Sequence, residues 1–229
     1  MENIEKQRKE GTEMKKAYIF DLDGTLVDLI PTISHFANQA LIQYGCKPVE
    51  EDLYKLFLGE GSVKLVHRLL DSQGKDIEEN FEKVHTMYNK TYDEDYLYLC
   101  KPYEGITELI DELKRRKYII AVLSNKPHST TVKIIEALFG KGTFTKIYGQ
   151  REGIPLKPDA QALHSILDEL ELSKEECVYI GDTKTDMLTG KNANVFTVGV
   201  LWGFRDRDEL EQYQADVIIS SPEELLTIE

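Results

Sequence analysis

Short apolar runs, the first three followed directly or after one glycine by polar or acidic residues, constrain this chain more than any other feature. They occupy positions 17–20, 119–123, 177–180 and 195–200, with 217–219 a weaker fifth. Each has the length and the β-branched or aromatic content of a buried strand. Helical patterns lie between the later runs. Val132, Ile135 and Leu138 share one stripe, and Leu163, Ile166 and Leu170 share another. Strands alternating with helices predict right-handed βαβ units. The expected fold class is therefore α/β, a doubly wound parallel sheet covered on both faces.

That rhythm breaks between the first two runs. From 31 to 100 only helix-like patterns occur. Ile33, Phe36, Ala40 and Tyr44 fit one helix, Val63, Val66, Leu69 and Leu70 a second, and the tyrosine-rich stretch 87–98 continues a helix. Pro and Gly punctuate the chain near 28–31 and 101–105, which reads as two hinges. The expected organisation is a charged tail at 1–14, a core made of 15–30 and 101–229, and an α-helical cap, 31–100, inserted after the first strand.

At 229 residues the chain is long enough for one core and such an insert. No apolar run approaches the roughly 20 residues needed to cross a bilayer. The charged start carries no secretory pattern, so a cytoplasmic location is expected. Cys46, Cys100 and Cys177 suggest neither a disulfide framework nor a zinc motif. The formal charge of -13 argues against nucleic acid as a partner. It would also repel a small phosphorylated ligand, which then needs local positive charge.

Ligands of open parallel sheets bind beyond the carboxyl ends of the strands. There the sequence places Asp21-Leu-Asp-Gly-Thr25, then Ser124-Asn125, then Gly181-Asp182 with Asp186 four residues on. Asp21 and Asp23, two apart, point the same way if strand geometry persists. Gly24 permits a sharp turn out of the crevice. Asp21, Asp23, Asp182 and Asp186 would repel one another unless a cation neutralised them. Ligands made only of oxygen suit Mg2+. Lys157 and the Ser124 hydroxyl complete a cradle for phosphate.

Asp21-Leu-Asp-Gly-Thr25, Ser124, Lys157 and Gly181-Asp-Thr-Lys-Thr-Asp186, in that chain order, resemble the four motifs of the haloacid dehalogenase superfamily of phosphatases. Leu58-Gly-Glu-Gly61 with Leu65 and Arg68, Ser124-Asn-Lys-Pro127, and Gly199-Val-Leu-Trp-Gly-Phe204 resemble its phosphoglycolate phosphatase group. The resemblance implies that Asp21 is a nucleophile forming an aspartyl-phosphate, and that Asp23 is the general acid and then the base. It implies metal ligation by Asp21, the Asp23 carbonyl and Asp182, with Asp186 acting through a water. Ser124 and Lys157 would bind the transferring phosphoryl group.

Thr25, Asn125 and Lys126 on the core and Gly59, Glu60, Gly61 and Arg68 on the cap are the substrate-binding candidates. Arg68 would meet the carboxylate of 2-phosphoglycolate. The glycine loop reads equally as a tight helix–helix turn, and Lys64 and Arg68 share a helix face that points either to the site or to solvent. The expected partner is a small phosphorylated metabolite, with no nucleic acid and no membrane, acting on a monomer or homodimer. A sugar-phosphate mutase, a pyrophosphatase or nucleotidase, and a non-catalytic binding protein are the alternatives on the same scaffold.

Overall fold

Strand β1 (Ala17–Phe20) is buried at all four positions. An unbroken apolar run of this kind requires a sheet covered on both faces. The computed structural model describes residues 15–228, so the charged tail lies outside the described residues. β1 pairs in parallel with β4 (Ile119–Pro127) on one side and with β6 (Cys177–Gly181) on the other. The full sheet runs β5 (Lys146–Gln150), β4, β1, β6, β7 (Phe196–Val200), β8 (Val217–Ile219), all parallel.

Side chains of β1 alternate between two cores. Tyr18 and Phe20 join Val122, Val178 and Ile180 on one face, and Ala17 and Ile19 join Leu163, Ile166 and Tyr179 on the other. Helices α5 (Ile106–Arg115) and α6 (His128–Phe139) bury their apolar sides on the first face. Helix α7 (Gln161–Glu169) and the end of α8 (Lys184–Ala193) bury theirs on the second. The doubly wound α/β expectation holds. After β1 the chain goes to β4 and β5, then crosses back to β6, β7 and β8. The crevice beyond the tip of β1 is therefore the switch point of the sheet.

A second, two-stranded ribbon joins β2 (Val27–Asp28) to β3 (Lys101–Pro102), with Val27 opposite Pro102 and Asp28 opposite Lys101. Between its strands come α1 (Ile30–Gln43), α2 (Glu51–Phe57), α3 (Gly61–Asp71) and α4 (Ile77–Glu94). These helices pack mainly on one another, α4 lying against both α1 and α3. The Asp76 side chain accepts from Glu79 N at 3.0 Å and starts α4.

Several local expectations are corrected. Tyr44 falls just past the end of α1 and Val63 is exposed, so neither belongs to the buried stripe. The tyrosine-rich helix stops at Glu94, short of Tyr96 and Tyr98. The buried side of α6 is centred on Thr131, Ile134 and Ile135, rotated from the expected Val132–Ile135–Leu138 stripe because Thr130 and Thr131 are buried as well.

Candidate active site

The register of β1 places its last residue, Phe20, opposite both Val122 and Ile180. β1 ends there, β6 ends one residue later at Gly181 and β4 runs on to Pro127, so Asp21, Ser124 and Asp182 gather at one edge of the sheet. The Asp21 amide donates to Ile180 O at 2.8 Å, which fixes the start of the turn. Leu22 O then accepts from the amides of Leu26 and Val27, and an isolated bridge joins Asp23 to Val27. Gly24 makes this turn at φ +89, and a Cβ there would lie 2.2 Å from Asp182 Oδ2. Only glycine lets the first loop approach the third so closely.

Asp21, Asp182 and Asp186 are buried, and each offers an oxygen within 4.8 Å of the others. Lys157, also buried, donates to Asp186 Oδ1 at 2.7 Å and pairs with Asp21 Oδ1 at 2.8 Å. Burial lowers the Lys157 pKa, but Asp186 and Asp21 outweigh it and hold the ammonium well above its ordinary value. Burial, with Asp186 and Asp23 against the opposing Lys157, pushes the Asp21 carboxyl up to about 7. Burial also raises Asp182, with Asp186 and Asp21 adding to it.

Asp186 is saturated. Its Oδ1 accepts from Lys157 and from the Tyr179 hydroxyl at 2.9 Å, and its Oδ2 accepts from the Thr183 amide and hydroxyl at 3.2 and 2.8 Å. One carboxylate therefore orients the lysine and caps α8. Asp182 is braced by the Thr25 hydroxyl at 3.1 Å and the Phe204 amide at 2.8 Å. Thr25 is fully buried in this role and does not line the cavity, unlike the substrate-binding expectation. The Trp202 indole donates to Thr25 O at 2.9 Å and closes the same brace.

Four carboxylates, Asp21, Asp23, Asp182 and Asp186, meet the two ammonium groups of Lys126 and Lys157. With all four ionised, two negative charges are left over, which one divalent cation would neutralise. The donors are all oxygen, and Asp21 and Asp182 keep free lone pairs. The residues present therefore fit Mg2+.

A cavity of about 170 Å³ opens above this group. Asp21, Asp23, Ser124, Asn125, Lys126 and Lys157 line its core side. Asn125 ties the loops together: its Oδ1 accepts from Lys157 N at 2.8 Å, and its Nδ2 donates to Lys157 O and to Gly59 O. Lys126, a substrate-binding candidate, is buried beside the cavity. Its Nζ lies 3.1 Å from Asp23 Oδ2 and 4.8 Å from the centre of the Tyr92 ring. Burial lowers its pKa, but Asp23 and Tyr88 reverse this and raise it overall.

Gly59 and Gly61 line the cavity from the cap side, whereas Glu60 and Arg68 do not. They form an ion pair with each other, and Arg68 also donates to Phe57 O at 2.8 Å. Arg68 therefore serves the cap's internal bonding and is unavailable to a substrate carboxylate. The cap wall that sequence reasoning missed is made by Leu58, Ser62, Tyr88, Asn89, Tyr92 and Asp93. The i, i+4 pairs Tyr88–Tyr92 and Asn89–Asp93 were its one legible sign.

Residues 18–200 match the haloacid dehalogenase-like hydrolase family. The chain belongs to that family. It is 31% identical over 218 residues to a phosphoglycolate phosphatase of Neisseria meningitidis, with 93% of each chain covered. It is 26% identical to the phosphoglycolate phosphatase of Haemophilus influenzae, covering 91% of this chain and 96% of that one. Among solved structures it resembles a predicted phosphoglycolate phosphatase from Haemophilus somnus with a TM-score of 0.88 at 25% identity, covering 95% of this chain and 99% of that one. The expectation of a phosphoric monoester hydrolase stands with these relatives. Among the described residues, no helix is long and apolar enough to cross a membrane.

Proposed function

We propose that the chain hydrolyses a small phosphomonoester, with Asp21 as the nucleophile and an aspartyl-phosphate as the intermediate. The observation that supports this most is the convergence of Asp21, Lys157 and Asp182 at the switch point, with Asp23 two residues on. An Asp21 oxygen attacks phosphorus, and the ester oxygen leaves with a proton from Asp23. In the second half Asp23 takes a proton from water, which attacks the phosphoryl group on Asp21. The Asp23 Oδ1 atom is buried and has no hydrogen-bond partner among the described residues, a position suited to sharing a proton with the ester oxygen.

Ser124 and Lys157 bind the oxygens of the transferring group, and Asn125 holds their loops in register. The contribution of these residues is electrostatic and positional, as a loose phosphoryl-transfer transition state demands. Asp21, the Asp23 carbonyl and Asp182 would hold Mg2+, while Asp186, its oxygens taken by Lys157, Tyr179 and Thr183, would hold Lys157 in place instead of reaching the ion through a water. When bound, the ion supplies charge to the phosphate oxygens and offsets the repulsion among the carboxylates.

In this reading residues 31–100 are the cap, closing on the core of 15–30 and 101–229 to exclude water and select the substrate. A cytoplasmic location and a phosphorylated metabolite as partner belong to the same proposal. The relatives' names put 2-phosphoglycolate first among compounds to test.

The test is phosphate release from a panel of phosphomonoesters with and without Mg2+. Release that needs Mg2+ and disappears in Asp21→Asn is the expected result. Release that persists in Asp21→Asn would overturn the nucleophile assignment.

A further inference from the structure

The cap wall of the cavity carries its own polar station. Ser62 and Asn89 line the cavity, and both meet one atom outside it, His85 Nε2, at 3.0 and 3.1 Å. Asn89 approaches through Nδ2, which has only hydrogens to offer. His85 Nε2 therefore accepts, and its ring proton sits on Nδ1. A nitrogen without hydrogen can give none to Ser62, so the Ser62 hydroxyl also donates to it. Burial, opposed by Glu82 and helped by His67, keeps the imidazole pKa below its ordinary value, which favours this neutral form.

With the Ser62 hydrogen and one of the two Asn89 amide hydrogens turned toward His85, both oxygens and the second amide hydrogen remain. Ser62 Oγ keeps its lone pairs, and Asn89 Oδ1 has no partner among the described residues. One helical turn beyond Asn89, Asp93 lines the same cavity, with one oxygen accepting from Thr130 Oγ1 at 3.0 Å. The rest of the cap side is apolar or aromatic, including Leu58, Leu65 and Tyr88.

Among the described residues no cation of the cap lines the cavity, and Arg68 is held by Glu60. The two lysines of the core side are engaged by Asp23 and by the Asp21–Asp186 pair. The geometry points to a leaving group that carries hydrogen-bond donors, a hydroxyl or an ammonium, in place of a second anion. Ser62 and Asn89, oriented by His85, are the residues that select it. This inference rests on the phosphomonoesterase reading above and gives that reading its substrate class.

Two matched pairs test it. Glycerol 3-phosphate and 3-phosphoglycerate differ by a hydroxymethyl against a carboxylate. O-Phosphoethanolamine and 2-phosphoglycolate differ by an aminomethyl against a carboxylate. The expected result is a kcat/KM at least about tenfold higher for the donor-bearing member of each pair. The ratio should collapse, chiefly through KM, in a Ser62→Ala, Asn89→Leu double variant. His85→Leu should collapse it too, whereas His85→Gln, which keeps an acceptor, should restore part of it. Circular dichroism and Tm establish that each variant is folded.

Equal or reversed ratios in the wild type, with Mg2+-dependent release still seen, would overturn the inference and leave the phosphatase reading standing. No release from these four esters or from p-nitrophenyl phosphate would overturn both.

Discussion

The Lys126 ammonium stands 3.1 Å from Asp23 Oδ2, and both side chains are largely withdrawn from water. The pair links the tip of β4 to the turn after β1, and it holds the proposed proton carrier on the cavity side. Removing one partner of such a pair strands the other charge. Lys126→Met is expected to lower kcat/KM by roughly 10- to 100-fold, about 1.4–2.7 kcal/mol of transition-state stabilisation. Steady-state kinetics on the best substrate of the panel checks this. Unchanged kinetics would show that Asp23 needs no such anchor.

The Asp21 carboxyl has an ordinary value of 3.8 and is raised to about 7 in the folded chain. Between those values the folded state holds a proton that the unfolded state has released. Metal-free stability should therefore fall as pH rises toward and through 7, and grow as pH drops toward 4. In EDTA, Tm is expected to be higher at pH 6 than at pH 8 by roughly 3 °C. Saturating Mg2+ replaces the proton and should remove that dependence. Asp21→Asn should lose the Asp21 part of it in EDTA as well. A thermal scan across pH, with and without the ion, reads all three.

A Cβ on Gly203 would fall 2.4 Å from Asp182 Cβ and equally close to Gly24 O. Neither neighbour is the free end of a flexible side chain, so Gly203→Ala must displace the Asp182 brace. The expected outcome is an apparent Mg2+ affinity weakened by roughly tenfold or more. Overpacking should also cost about 1–3 kcal/mol of stability. Mg2+ titration of activity together with thermal unfolding separates the two effects.

The loop that braces Asp182 also grips the cap. Arg205, the neighbour of Phe204, donates to the carbonyls of Lys55, Leu56 and Leu58 at the end of α2, and Glu209 holds it at 3.1 Å. A cation at a helix carboxyl end is favourably placed, and Leu58 is itself part of the cavity wall. Arg205→Ala is expected to speed amide exchange over 55–61 and to raise KM by roughly tenfold, about 1.4 kcal/mol. Hydrogen exchange and kinetics on the same preparation test it. Slow exchange retained over 55–61 would show that other contacts seat α2.

Much of this could be read before any coordinates, because continuous apolar runs mark buried parallel strands and the residues that follow them mark the crevice. Asp21, Ser124 and Asp182 were legible on that ground, and Lys157 from its place before a helix and from the family resemblance. β5 was not: Lys146–Gln150 is an edge strand with only two fully buried positions, so it lacks an apolar run. The ribbon strands β2 and β3 are two residues each, too short to leave a pattern. Arg68 was misplaced because its partner, Glu60, lies eight residues back, across the start of α3, and only the fold brings the two together. The burial of Lys126 depended in the same way on Tyr88 and Tyr92, contributed by a distant helix.

The ribbon has one more consequence. The chain leaves the core at Asp28 and returns at Lys101, and these two residues sit opposite each other. Everything between them is, to the six-stranded sheet, a single detour with adjoining ends. A different module could be spliced across that gap without shifting any strand register. The inserted helices can therefore change in length without moving the strands that carry Asp21, Ser124 and Asp182.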